Sequence, residues 1–150
     1  MTSDGVVSCW GGGPDGSNEL CFGDCNFIPH VMDTQARFQS IDAGGVVSCG
    51  VSTTEEAYCW GANDKGQRGS GVRDFCTAEG CEQRPLPVFG GLRWRSVSAG
   101  GFHACGITVT GKAYCWGSNS EGQLGADPSA DMSGCDAECA LKPELVFGQE

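Results

Sequence analysis

The residues Ala57-Tyr58-Cys59-Trp60-Gly61 return as Ala113-Tyr114-Cys115-Trp116-Gly117, and a worn copy, Val7-Ser8-Cys9-Trp10-Gly11, stands near the start. A longer unit repeats around them. Phe38-Gln39-Ser40-Ile41-Asp42-Ala43-Gly44-Gly45 matches Trp94-Arg95-Ser96-Val97-Ser98-Ala99-Gly100-Gly101, and Cys49-Gly50-Val51 matches Cys105-Gly106-Ile107. Downstream, Asn63-Asp64-Lys65-Gly66-Gln67-Arg68-Gly69 matches Asn119-Ser120-Glu121-Gly122-Gln123-Leu124-Gly125. The register is 56 residues from Phe38 to Trp94, from Cys49 to Cys105 and from Trp60 to Trp116. A fixed period of this length, holding several short strands, restricts the chain to a propeller or a solenoid.

Each whole unit reads as four strands. Phe38 to Ala43, Val46 to Ser52, Glu56 to Gly61 and Leu86 to Phe89 make one set. Arg95 to Ala99, Phe102 to Thr108, Lys112 to Gly117 and Glu144 to Phe147 make the next. Four short antiparallel strands are the content of one propeller blade. The expected fold is therefore all-β, with about two and a half blades: a partial blade over 1–37, a whole blade over 38–93 and another over 94–150. On this frame the chain starts inside a blade, with two outer strands and an insert, and is a fragment of a larger propeller or is completed by other chains.

Composition supports this. Glycine stands at 25 of 150 residues, well above its usual share, which favours turn-rich β structure over a helical bundle. The formal charge of −10, with Lys and Arg totalling 9, argues against a nucleic-acid partner, whose phosphates need neutralising cations. No apolar run is long enough for a membrane span, and no basic start with an apolar stretch marks a signal peptide.

Eleven cysteines are too many for a typical chain kept reduced in a cytosol. If residues 109 to 111 form a three-residue hairpin loop with Gly111 at its left-handed position, Cys105 falls opposite Cys115. The same arithmetic sets Cys49 opposite Cys59, and opposed positions on neighbouring strands lie within disulfide reach. The position that would pair with Cys9 falls ahead of Met1, which accounts for the odd count.

Between third and fourth strands each unit carries an insert with a close cysteine pair: Cys21 and Cys25, Cys76 and Cys81, Cys135 and Cys139. Small loop-closing disulfides are the favoured reading. Zinc wants four ligands and each insert offers two cysteines, with His30 the only histidine near one; free or differently paired thiols are the other alternative. The inserts hold Asp24, Asp74, Glu79, Glu82, Asp127, Asp131, Asp136 and Glu138. These carboxylates lack the alternating pattern of a calcium loop and read as solvated charge.

The order Ala-Gly-Gly-Phe-His-Ala-Cys-Gly-Ile (99–107), Gly-Lys-Ala-Tyr-Cys-Trp-Gly-Ser-Asn (111–119) and Glu-Gly-Gln-Leu-Gly (121–125) resembles the regulator of chromosome condensation repeat. The resemblance covers nearly the whole chain. It implies a β-propeller, usually of seven blades, with strands running outward from a central channel. The cysteine-rich form is similar to secreted bacterial members, among them a propeller-type inhibitor of β-lactamase. Arg68 departs from the Leu124 position, Val47 stands where His103 does, and the first unit has Gly13-Pro14-Asp15-Gly16 with no Gly-Gln-Leu-Gly.

No catalytic constellation, cofactor motif or metal set stands out. His103 matches Val47 in the neighbouring unit, so packing is its expected role. Trp60 and Trp116 recur in register and are expected to pack blade on blade. Asn63, Asn119, Gly66 and Gly122 are expected to turn the chain after the third strand through positive φ. The function expected is a secreted, non-enzymatic module, extracellular or at a cell surface, that binds a protein partner through loops on one face. The alternative is a structural subunit of an extracellular assembly, joined through exposed blade faces. Guanine-nucleotide exchange, the activity of the family's nuclear founder, calls for a reducing compartment that the cysteines speak against.

Overall fold

The computed structural model describes residues 1–9, 30–32, 34–75, 82–127, 130–132, 135 and 138–148. Its strands are β1 (Ser8–Cys9), β2 (His30–Val31), β3 (Phe38–Ala43), β4 (Val47–Ser52) and β5 (Ala57–Gly61). They continue as β6 (Glu82–Pro87), β7 (Trp94–Ala99), β8 (His103–Thr108), β9 (Ala113–Ser118) and β10 (Cys139–Leu145). Two antiparallel meanders result, ordered β3-β4-β5-β6 and β7-β8-β9-β10, beside a two-stranded sheet of β1 and β2. The first three strands of the meanders share one register: Cys49 faces Cys59 and Val47 faces Gly61, as Cys105 faces Cys115 and His103 faces Gly117.

Alternation along the strands decides which side of each sheet packs against what. Aromatic positions on the first and third strands share one side: Phe38 packs edge-on to Tyr58 and Trp60, with centroids 5.7 and 5.9 Å away. Trp94 does the same to Tyr114 and Trp116, at 5.9 and 5.5 Å. The glycine of the Cys-Gly-Val and Cys-Gly-Ile motifs makes room for that ring. A Cβ on Gly106 would lie 2.6 Å from the Trp94 ring, and one on Gly50 2.7 Å from the Phe38 ring. The opposite side of the first meander, Val47, Cys49, Val51, Ala57 and Cys59, closes over Trp94, Ala104 and Trp116 of the second as the main core. A smaller cluster of Val7, Phe38 and Trp60 seats the two-stranded sheet on the aromatic side of the first meander.

The fourth strands begin earlier than their apolar pattern suggests. β6 opens at Glu82 rather than Leu86, and β10 at Cys139 rather than Glu144. Each first strand joins the second across a register break, between Phe38 and Ser40 and between Trp94 and Ser96, and each fourth strand joins the third across another, between Cys59 and Gly61 and between Ala140 and Glu144. A bulge there offsets the face alternation on which the sequence reading relied.

Candidate interaction surface

The junction between the two meanders shows what one blade requires of its neighbour. Trp116 is fully buried, and its indole N–H donates to the Gln67 carbonyl at 3.0 Å. Gln67 belongs to the connection after β5. This segment leaves the sheet at Gly61, folds back along its flank, and lets the Gly69 carbonyl accept from the Phe89 N–H beyond β6. From the same segment Gly71 N–H donates to the Leu141 carbonyl of β10 at 2.8 Å. The repeated Asn/Gly/Gln stretch is therefore a spacer between blades as well as a turn.

Side chains shape that spacer. Asn63 is buried; its Oδ1 accepts from the Arg68 N–H at 3.1 Å and its Nδ2 donates to the Val72 carbonyl at 2.8 Å. Asn119 Oδ1 accepts likewise from the Leu124 N–H. The asparagines thus act through their amides, a correction to the expectation of positive φ, which holds for Gly66 and Gly122 and not for them. Gln67 Oε1 accepts from the Lys65 N–H, as Gln123 does from that of Glu121. Arg68, in the place of Leu124, is 2% exposed and pairs through Nη2 with Asp74, while its Nε and Nη1 have no partner among the described residues.

One register further on, the same chemistry stands uncovered. Val47, Cys49, Val51, Ala57 and Cys59 become His103, Cys105, Ile107, Ala113 and Cys115 on the far side of the second meander. Val51 is 0% exposed and Ile107 43%. Cys49 is fully buried and Cys105 only partly. In the spacers, a Cβ on Gly66 would meet the Leu141 side chain at 2.7 Å, whereas one on its register mate Gly122 meets nothing within 4 Å. His103 lies on this flank over Gly100, beside Cys105. The candidate surface is this flank, built from β8, β9 and the 119–125 spacer.

The remaining predicted residues fall as follows. Cys49 is joined to Cys59 and Cys105 to Cys115, with Cα atoms 4.1 and 4.0 Å apart. Cys135 is joined to Cys139, which lies in β10 opposite Ser118 and so belongs to the strand rather than the insert. Cys9 lies in β1 with its Sγ 3.3 Å from the Met32 Sδ. Cys21, Cys25, Cys76 and Cys81 lie outside the described residues. Among the described residues no cluster of three metal-ligating side chains occurs, and no helix is long and apolar enough to cross a membrane.

Among the described residues three carboxylates are perturbed: Asp4, held low chiefly by the Thr2 hydroxyl, and Asp42 and Glu144 on the sheets. Glu144 sits on β10 opposite Cys115, where burial pushes its carboxyl up; nearby Lys142 lowers it and Asp131 raises it. Asp42 reaches across the junction, accepting from the Ala99 N–H and the Ser98 hydroxyl, both at 2.9 Å. These donors, the Ala99 N–H foremost, hold its carboxyl below the ordinary 3.8. A depressed carboxylate stabilises the folded chain above its unfolded pKa and loses that contribution as the pH falls through the folded one. Asp42→Asn is therefore expected to lower stability at pH 7 and to match the parent once the pH drops well below about 4, a convergence that urea titrations across pH would measure.

Residues 94–123 match the family described as "Regulator of chromosome condensation (RCC1) repeat". The chain is 31% identical over 143 residues to the ultraviolet-B receptor UVR8 of Arabidopsis thaliana, covering 87% of this chain and 30% of the receptor. It is 31% identical over 123 residues to the probable E3 ubiquitin-protein ligase HERC6 of Homo sapiens, covering 80% of this chain and 12% of the ligase. Among solved structures, Prp20p of Saccharomyces cerevisiae matches with a TM-score of 0.73 at 20% identity, over 97% of this chain and 35% of that one. Human WBSCR16 matches with a TM-score of 0.72 at 21% identity, over 97% and 34%. The chain thus spans about a third or less of each of these proteins, and the structural likeness places its sheets as propeller blades.

Proposed function

Because the chain belongs to the regulator of chromosome condensation repeat family, we propose that it is a protein-binding propeller module, without catalysis of its own, that works in an oxidising extracellular or cell-surface setting. The observation that carries this is the division of labour within each blade. The registers of the first three strands of the two meanders coincide, while the segments joining third and fourth strands differ in charge and cysteine spacing. Variable segments on a constant scaffold are where binding specificity resides. Both segments leave and re-enter their sheets at the end that also holds the Gly44-Gly45 and Gly100-Gly101 turns. The disulfides and cysteine count support the oxidising setting.

The test compares proteins captured from the source medium by the parent chain and two charge-reversed variants, quantified by mass spectrometry. Asp131→Lys with Glu138→Lys alters the insert end, and Arg95→Glu with Lys112→Glu the opposite end. Selective loss with the first pair is expected. Capture that both variants leave intact, or that only the second pair abolishes, would overturn the reading.

A second reading is favoured by the uncovered flank: addition of a further blade, from a longer chain or another copy. Its occupant would present a first strand and a third-strand indole, as β7 and Trp116 do to the first meander. A species that grows with concentration in wild type but not in Ile107→Asp would support it, whereas a single size in both would refute it.

A further inference from the structure

The two cross-strand disulfides occupy identical register positions, yet their surroundings differ. Cys49 and Cys59 are both 0% exposed, under the following blade. Cys115 is buried, whereas Cys105 is only partly so, beside the exposed Ile107 and half-buried His103 on the flank that no blade covers among the described residues. Thiol–disulfide exchange needs a thiolate to reach a sulfur, so with equal chemistry and equal sequence separation of 10, access sets the order of reaction. We infer that Cys105–Cys115 is a site of thiol–disulfide exchange with small thiols such as glutathione, open while the flank is bare, and that Cys49–Cys59 is its shielded, inert counterpart. The inference rests on the oxidised state adopted above and not on what the chain binds.

The step balances with the thiol as reductant. A glutathione thiolate attacks Sγ of Cys105, forming a mixed disulfide, and the Cys105–Cys115 bond breaks with the electron pair leaving on Cys115 Sγ, which takes a proton from solvent. A second glutathione thiolate attacks the mixed disulfide at the glutathione sulfur, releasing oxidised glutathione and the Cys105 thiolate. Sheet hydrogen bonds between β8 and β9 hold the two thiols in place, so oxidised glutathione re-forms the bond by the reverse of the two steps, accepting the electron pair and leaving as two glutathione thiols. A blade covering the flank would bury Cys105 as Cys49 is buried, which ties exchange to the state of the surface.

The experiment incubates the intact chain with reduced glutathione in native buffer, traps thiols with N-ethylmaleimide at intervals, and maps peptides. Cys105–Cys115 is expected to open at least about tenfold faster than Cys49–Cys59. Ile107→Ala, which trims the neighbouring side chain, should speed the first bond and leave the second unchanged. Equal rates, a faster Cys49–Cys59, or an Ile107→Ala effect on both bonds alike would overturn the inference, the last because it signals global unfolding. Both bonds already reduced before glutathione is added would remove the oxidising-compartment reading as well, so the two failures are distinguishable.

Discussion

Trp116→Ala is expected to destabilise the chain by about 3–5 kcal/mol, the usual loss when a large buried aromatic is truncated. Three effects combine. The side chain is fully buried between the meanders, its ring packs edge-on to Trp94 at 5.5 Å, and its N–H satisfies the Gln67 carbonyl. Truncation leaves a cavity at the blade junction and an unpaired carbonyl within it, and the latter adds to the transfer and cavity terms. Such a loss is a large fraction of the roughly 5–15 kcal/mol that keeps a domain folded. Urea unfolding followed by tryptophan fluorescence measures it. Trp116→Phe keeps most of the packing but not the hydrogen bond, and should fall between parent and alanine variant. If Trp116→Ala cost less than about 1 kcal/mol, the indole would not be the element holding the blades together.

The period alone made most of the fold readable. Once Phe38 aligns with Trp94 and Cys49 with Cys105, the first three strands of each blade and the pairing of opposed cysteines follow from alternation and hairpin length. The fourth strands were less legible, because their opening residues, Glu82 to Pro85 and Cys139 to Pro143, lack a continuous apolar alternation. They are placed by backbone bonds to the third strand across a bulge, and a bulge leaves no hydrophobic signature.

The junction was legible only in part. Recurrence marked Trp60 and Trp116 as packing residues, but the acceptor for Trp116 is the backbone carbonyl of Gln67, which no residue type announces. Asn63 and Asn119 signalled a bend, yet their buried amides are understood only once the spacer is seen folded against the next blade. Asp42 gave no signal: its register mate is Ser98, and its partners lie 56 and 57 residues away. The candidate surface itself was anticipated only as an exposed end face. That Ile107 and Cys105 stand on it becomes apparent from comparing burial at equivalent positions.

That comparison is also the most direct test. A carboxylate introduced at Val51 would be buried without a partner beneath β7, whereas one at Ile107, the same position a blade later, would face water. Burying an uncompensated charge costs several kcal/mol, so Val51→Asp is expected to lose about 4 kcal/mol or more and to be largely unfolded. Ile107→Asp should remain folded, within about 1 kcal/mol of the parent. Circular dichroism with urea titration of the two variants side by side supplies the measurement. The predicted result is a folded Ile107→Asp chain beside an unfolded Val51→Asp chain. Equal losses at the two positions would mean that the flank is already covered in solution, and would contradict the account.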